Sequence, residues 1–280
     1  MNRSDVFVSP KWLLDHLCDD RVVVVDGSWH MPATQRSGRA EYLAAHIPGA
    51  VFFDLDAVAD QTTDLPHMLP TADAFAAAVG ALGIADDATI VVYDVYGLRS
   101  AARVRWTFRV MGAADVRILE GGLPAWQAAG YGVEAGEASR PVATFAARLD
   151  VGAVRSFAEV MASLGSPTIQ IADARSAGRF HAREPEPRAG LKSGHMPGAV
   201  NVPFEELIDG DRLKSAQEVA RVFASHGIDI ARPVITSCGS GVTAAILSLG
   251  LESIGAADVA LYDGSWTEWG GRPESVVVSD

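Results

Sequence analysis

The strongest constraint in this sequence is an internal duplication. The hexapeptide HIPGAV at 46–51 returns as HMPGAV at 195–200, 149 positions later, and GAADV at 112–116 is repeated letter for letter at 255–259. Further landmarks recur in the same order and at nearly the same spacing. A long repeat of this kind predicts two domains that share one fold.

The length agrees with that division. At about 150 residues per domain, 280 residues leave room for two globular domains. The joint is predicted in the stretch 132–141, which is rich in Gly, Ala, Ser and Pro. The first domain is therefore expected at residues 1–140 and the second at residues 141–280.

Each half alternates short β-branched runs with amphipathic stretches. VVVV at 22–25 and IVVY at 90–93 have strand composition, while 72–82 and 100–111 suit helices that cross between parallel strands. The β-branched runs are apolar throughout, as expected of strands covered on both faces. The sequence thus predicts an α/β fold, with a parallel sheet in each domain and helices on both of its faces.

Composition excludes several classes of partner. The chain has 23 Lys and Arg against 35 Asp and Glu, a net charge of −12, so binding to nucleic acid is not expected. No apolar run is long enough to span a bilayer, and the start lacks a signal-peptide core, so we expect a cytoplasmic protein without a membrane partner. Its two cysteines cannot form a disulfide framework, and no Cys or His pair has zinc-ligand spacing.

A cysteine in the second half stands between a strand-like run and a helix-like run. VITS at 234–237 leads into Cys238, and helix-compatible composition begins at Ala244. Gly239 and Gly241 allow the backbone between them to curl, so that successive N–H groups can point at the sulfur. The helix N-terminus adds positive potential. These surroundings favour a thiolate, so Cys238 is the candidate nucleophile.

Parts of this loop also match two other functional classes. Gly239, Gly241 and Ala244 formally match a dinucleotide-binding fingerprint, but the match lies late in the chain and the first copy of the repeat lacks it. A cysteine phosphatase needs an arginine six residues after the cysteine, and that position is Ala244. Neither function fits the loop well.

The motifs together resemble one family. They are CGSGVTA at 238–244, DAR at 173–175, GRF at 178–180, PEPR at 185–188, SGHMPG at 193–198, FFD at 52–54 and HMLP at 67–70. With these motifs the chain resembles the tandem-rhodanese sulfurtransferases, and among them the enzymes that use 3-mercaptopyruvate. The resemblance implies two rhodanese-like domains, a catalytic C-terminal domain and a non-catalytic N-terminal one. Asp94, at the position equivalent to Cys238, agrees because a carboxylate cannot carry a persulfide.

The resemblance also implies a reaction. Sulfur would pass from 3-mercaptopyruvate to Cys238, releasing pyruvate, and then from the cysteine persulfide to a thiol or cyanide acceptor. Thioredoxin is the thiol acceptor that the family suggests. No metal and no other cofactor is expected.

Family positions supply the candidate binding residues. Arg179 and Arg188 match the two arginines that bind the substrate, and a planar guanidinium suits a carboxylate next to a carbonyl. Loop residues 239–243 would surround the transferred sulfur; they comprise Gly239, Ser240, Gly241, Val242 and Thr243. Arg175 and Arg183 are expected to be structural or to lie at the rim, and Glu184 and Glu186 can pair with any of these arginines.

The family further suggests a relay of Ser240, His67 and Asp56 that moves a proton. Asp56 lies 11 residues before His67, but Asp54 and Asp60 are also close, and spacing alone does not decide among them. These three relay residues complete the set of catalytic candidates with Cys238.

Other residues are expected to be structural. His46 and His195 recur in both halves, including the half without the cysteine, which favours a role at a turn. Cys18 lies in an amphipathic stretch and is predicted to pack. Residues 274–280 are predicted to be a tail.

Two alternative functions remain open at this point. The first is a thiosulfate sulfurtransferase, although relatives that prefer thiosulfate have basic residues in the loop and residues 239–243 are uncharged here. The second is a persulfide-carrier module that turns over no small donor, against which the pair of arginines argues.

Overall fold

The computed structural model describes residues 3–279, which form two five-stranded parallel sheets and one short antiparallel hairpin. The strands are β1 (Phe7–Val8), β2 (Val22–Asp26), β3 (Val51–Phe52), β4 (Thr89–Tyr93), β5 (Asp115–Leu119), β6 (Val154–Arg155), β7 (Gln170–Asp173), β8 (Val200–Asn201), β9 (Ile208–Asp209), β10 (Arg212–Leu213), β11 (Val234–Ser237) and β12 (Val259–Tyr262). The first sheet has the order β1-β5-β4-β2-β3, and the second the equivalent order β6-β12-β11-β7-β8. The predicted duplication and the α/β class are therefore confirmed.

Helices connect the strands of both sheets. They are α1 (Pro10–His16), α2 (Gly38–Ala44), α3 (Leu55–Val58), α4 (Ala72–Ala81), α5 (Ser100–Val110), α6 (Gly122–Ala128), α7 (Phe157–Ser163), α8 (Ala177–Phe180), α9 (Ala216–Ser225), α10 (Ala244–Ser253) and α11 (Ser265–Gly271). Short 3-10 helices cover Arg3–Asp5, Pro32–Thr34, Val151–Ala153 and Phe204–Leu207. Among residues 3–279, no helix is long and apolar enough to cross a bilayer.

Alternate residues of the central strands pack into different apolar clusters. Val23 and Val25 of β2 join a large cluster that includes residues of both halves, whereas Val22 and Val24 join a smaller cluster on the other face. Because side chains alternate along a strand, both faces of the sheet must be covered, which explains the continuous apolar runs. Helices α5 and α10 pack against each other within the shared cluster, so the two halves are joined by a common core.

The segment that connects the two halves packs against the first half over more residues than the composition predicts. Phe145 packs edge-on against Phe75, with ring centroids 5.4 Å apart, and Arg148 donates its backbone N–H to Met111 O at 2.9 Å. Residues 143–150 thus contact the first sheet's helices. The division of the chain at residues 140 and 141 stays a prediction.

Two structural expectations are wrong. Val278 exchanges two backbone hydrogen bonds with His195, at 2.9 and 3.0 Å, just as Glu134 does with His46 in the first half. The segment up to Val278 is therefore not a free tail, because Val278 pairs with the turn that the repeat motif builds; Asp280 lies outside the described residues. Cys18 is exposed rather than packed, since it lies just after the end of α1.

Candidate active site

Cys238 directly follows β11, which lies between β12 and β7 in the middle of the second sheet. The residue is 2% exposed. Its carbonyl oxygen accepts the N–H of Trp266 at 2.9 Å, and its own N–H donates to Ser265 Oγ at 3.2 Å. Residues at the start of α11 thus hold both the N–H and the carbonyl group of Cys238 in place.

The two loop glycines serve different purposes. Gly241 has a φ of +78°, in the left-handed region that favours glycine, whereas Gly239 lies outside that region, contrary to the expectation from sequence. A Cβ at Gly239 would lie 3.0 Å from Arg179 Nη2, and a Cβ at Gly241 would lie 2.6 Å from Arg103 Nη1. Gly239 is thus needed for the close approach of an arginine rather than for the backbone turn.

The equivalent loop of the first half already holds a buried carboxyl group. Asp94 is fully buried, and its carboxylate accepts the N–H groups of Tyr96, Arg99 and Ala101 at 2.8, 2.7 and 2.8 Å. Burial raises the pKa of Asp94. Its carbonyl oxygen accepts Leu123 N–H at 3.1 Å, as Cys238 O accepts Trp266 N–H. The first copy therefore shows that a loop of this shape can direct several N–H donors at the side chain in the position of Cys238.

The structure brings the three relay candidates into contact across the two halves. Ser240 Oγ lies 3.0 Å from His67 Nδ1, and His67 Nε2 lies 3.1 Å from Asp56 Oδ1. Trp29 Nε1 donates to the other carboxylate oxygen of Asp56 at 2.9 Å, and its ring meets the His67 ring edge-on. The hydrogen bond with His67 lowers the pKa of Asp56. Of the three nearby aspartates, Asp56 is the one that bonds to His67.

His67 is held in an uncommon backbone conformation by residues that sequence reasoning missed. Its φ is +62°, and its carbonyl oxygen accepts Arg103 Nη2 at 2.6 Å. The same Nη2 pairs with Asp263 Oδ1 at 2.6 Å, and Asp263 Oδ2 accepts Leu69 N–H at 2.7 Å. Arg103 is fully buried. The signal in the sequence is a set of three arginines on a helix whose other positions are mostly apolar or small, which indicates buried partners without singling out Arg103.

A cleft of about 480 Å³ lies between the halves and reaches Cys238 and Ser240. Of the predicted binding residues, those that line the cleft are Arg179, Arg188, Gly239, Val242 and Thr243. Gly241 is placed beside Arg103 instead, and neither His67 nor Asp56 lines the cleft. The relay therefore reaches the cleft through the Ser240 side chain.

The arginines of the second half differ in their partners. Arg179 donates from Nη2 to Glu186 Oε2 at 2.5 Å, and Arg175 donates to Glu186 Oε1 at 2.8 Å. Arg175 is fully buried and binds Asp173 through two nitrogens, which agrees with a structural role. Arg188 makes no hydrogen bond or ion pair with any residue in 3–279, and burial lowers its pKa. Arg188 thus presents the less neutralised charge to the cleft.

Comparison with known proteins places the chain in a well-populated group. The family model of the Rhodanese-like domain matches twice, at residues 9–129 and 156–272. The 3-mercaptopyruvate sulfurtransferase of Escherichia coli (strain K12) is 43% identical over 269 residues, which are 96% of this chain and 96% of that protein. Thiosulfate/3-mercaptopyruvate sulfurtransferase 1, mitochondrial, of Arabidopsis thaliana is 42% identical over 302 residues, covering 100% of this chain and 79% of the relative.

A solved structure agrees over nearly the same length. The crystal structure of SseA from Escherichia coli, described as showing the rhodanese fold of 3-mercaptopyruvate sulfotransferases, superposes with a TM-score of 0.87 at 41% identity. It covers 93% of this chain and 98% of its own. The likeness thus extends over both halves of the chain.

Proposed function

This chain belongs to the rhodanese family, and from that premise we propose that it is a sulfurtransferase that takes sulfur from 3-mercaptopyruvate. The sulfur is held as a persulfide on Cys238 and then passes to a thiol or to cyanide. The observation that carries the proposal is the position of Cys238. The cleft that reaches it is also lined by Ser240 of the relay, by Arg188, and by Arg179, whose charge is partly neutralised by Glu186.

The first half-reaction balances without any external oxidant. The Cys238 thiolate attacks the sulfur of 3-mercaptopyruvate, the bond between that sulfur and C3 breaks, and the electron pair leaves as the enolate of pyruvate. The thiol proton of the donor ends on C3, which gives pyruvate and a Cys238 persulfide anion. This is nucleophilic catalysis through a covalent intermediate.

Backbone N–H groups stabilise the negative charge of that persulfide. The first-half loop, in which three N–H groups surround the Asp94 carboxylate, supports this role for the matching second-half residues Ser240, Thr243 and Ala245. Because these N–H donors are in position before the reaction, they stabilise the charge without a rearrangement of the loop. The Asp94 side chain occupies, in the first half, the position equivalent to that of the Cys238 persulfide in the second half.

Ser240, His67 and Asp56 move the proton in this proposal. Ser240 Oγ takes the donor's thiol proton as its own hydroxyl proton passes to His67 Nδ1. Ser240 then delivers a proton to C3, and His67 returns the proton that it holds to the serine. Asp56 accepts a hydrogen bond from Nε2 and stabilises the imidazolium that forms. The support is the chain of contacts at 3.0 and 3.1 Å from Ser240 to Asp56.

Arg179 and Arg188 bind the donor's carboxylate. A planar guanidinium holds two oxygens in a fixed direction, which orients C3 and its sulfur toward Cys238. The uncharged residues 239–243 favour this monoanionic donor over the thiosulfate dianion. Thiosulfate remains the second candidate donor, and the name of the Arabidopsis relative includes both donors.

We propose a thiol as the acceptor, with thioredoxin as one candidate, and the cytoplasm as the location. A reducing compartment suits a nucleophile that must be a free thiol. The name of the Arabidopsis relative gives a mitochondrial location, which is the alternative.

Initial rates with 3-mercaptopyruvate and with thiosulfate, at one cyanide concentration, test the proposal. Intact mass after donor alone shows whether one sulfur atom is added. We expect a strong preference for 3-mercaptopyruvate and an adduct that Cys238→Ser loses and Cys18→Ser keeps. Preference for thiosulfate overturns the donor, and the absence of an adduct from either donor favours a persulfide carrier.

A further inference from the structure

Arg99 is a cation in the cleft that the proposed reaction does not use. It comes from the first half, where its backbone N–H donates to Asp94 Oδ2 at 2.7 Å immediately before α5. Its guanidinium carbon lies over the ring of Phe204 of the second half, 4.7 Å from the ring centroid. The side chain is half-buried and lines the same cleft as Cys238. A cation–π contact thus holds Arg99 across the boundary between the halves.

The charges around the cleft leave Arg99 without a counterion. Arg175 is neutralised by Asp173 and Glu186, and Arg179 is paired with Glu186. Within the described part of the chain, no carboxylate lies within ion-pair distance of Arg99. Glu205 also lines the cleft, but its side chain is exposed and forms no ion pair with Arg99. An unpaired, half-buried guanidinium in a protein of net charge −12 indicates an anionic ligand.

The donor does not account for this charge. It carries one carboxylate, which the proposed function assigns to Arg179 and Arg188 of the second half. Arg99 belongs to the first half and is more exposed than the 2%-exposed Cys238. The sulfur acceptor reaches Cys238 through the same cleft after pyruvate has left, and Arg99 lines that cleft.

We propose that Arg99 binds a carboxylate of the sulfur acceptor, which makes the preferred acceptor an anionic thiol. The inference rests on the persulfide of the proposed function. In the transfer step the acceptor thiolate attacks the outer sulfur, the S–S bond to Cys238 breaks, and the Cys238 thiolate is restored. Arg99 orients the acceptor and takes no part in bond breaking.

Single-turnover discharge of the persulfide tests this subsite. The enzyme is loaded, freed of donor, and mixed with 3-mercaptopropionate or with 3-mercaptopropanol, which differ in the carboxylate. Loss of the sulfur adduct is followed by quenching and intact mass. We expect Arg99→Met to raise the half-saturating concentration of 3-mercaptopropionate about tenfold, because a charge-assisted contact is lost. The change for 3-mercaptopropanol should stay within about twofold.

Two variants control the interpretation. Arg99→Lys keeps the charge without the planar fork and should recover part of the loss. Arg221→Met removes an exposed arginine of α9 that does not line the cleft, and it should leave both thiols unaffected. Equal changes for both thiols would assign Arg99 to packing, and slower loading by 3-mercaptopyruvate with unchanged discharge would assign it to the donor. Either result overturns the inference.

Failure of the proposed donor is distinguishable from failure of this inference. If 3-mercaptopyruvate loads no sulfur, the persulfide is formed with inorganic polysulfide and the same discharge is measured. A carboxylate preference that depends on Arg99 then supports the subsite although the donor is wrong. The absence of any preference in the unmodified protein overturns the subsite whichever reagent loads the sulfur.

Discussion

Ser240 Oγ and His67 Nδ1 lie 3.0 Å apart, although 173 positions separate them in the chain. One residue belongs to the cysteine loop of the second half and the other to a loop of the first half. The contact depends on the docking of the two halves, in which α5 packs against α10. The half without the cysteine therefore contributes directly to the site, through His67 and its partner Asp56.

Replacing His67 with Asn tests the relay. Asn tolerates the left-handed backbone that His67 adopts, so the loop should keep its shape. We expect kcat with 3-mercaptopyruvate to fall about 10²- to 10⁴-fold, because the serine loses its proton acceptor. Loading by inorganic polysulfide needs no proton transfer to carbon and should continue. Equal loss with both reagents would mean that the variant damages the loop rather than the relay.

The lowered pKa of Asp56 predicts how the stability of the folded protein changes in acid. This pKa is lower in the folded state, so the ionised carboxylate stabilises the protein above the unfolded-state value of about 4. That contribution is lost as the pH falls through the folded-state pKa. Urea unfolding of the unmodified protein and of Asp56→Asn should therefore differ at neutral pH and converge toward acid. A difference that grows in acid would contradict the assignment.

The two loop glycines give a matched pair of substitutions. Gly239→Ala should leave the melting temperature nearly unchanged, because only the flexible end of Arg179 must move, and it should raise KM for the donor about tenfold. Gly241→Ala introduces strain at a φ of +78° and a clash with buried Arg103. It should destabilise the fold by about 1–3 kcal/mol. Thermal unfolding and donor KM, measured on both variants, separate the two effects.

Arg103 and Asp263 are expected to be strongly coupled. Arg103→Met leaves the buried carboxylate of Asp263 uncompensated and should cost about 3–5 kcal/mol of unfolding free energy. The double variant with Asp263→Leu should be less destabilised than the sum of the single variants. Arg109→Met, which breaks a more exposed pair with Glu252, should cost about 1 kcal/mol or less. Additive effects at Arg103 and Asp263 would show that their contact contributes little.

Cys238→Ser is expected to abolish the sulfur adduct while the fold is retained. The serine oxygen occupies a similar volume in a buried site but cannot form a persulfide. Intact mass after incubation with the donor, together with thermal unfolding, checks both parts. An adduct that persists in Cys238→Ser would contradict the assignment of the nucleophile.

Much of the fold could be predicted because its signals are local. The repeated landmarks, the apolar runs of β2 and β4, and the helical stretches near α4 and α5 all depend on neighbouring residues. The position of Cys238 at the end of a strand followed from the same patterns. The pairing of Val278 could not be predicted, because its partner, His195, lies far away in the sequence.

The sequence by itself determined the two-domain α/β architecture and the cysteine loop, since periodicity and turn composition act over a few residues. Only the tertiary structure decided that Asp56, and not Asp54 or Asp60, bonds to His67, and that Arg103 lies beneath Gly241. It also decided that Arg99 reaches Phe204 of the other half. These contacts depend on how two separately patterned sheets dock, and docking is governed by shape and buried charge across the interface, which no local pattern encodes.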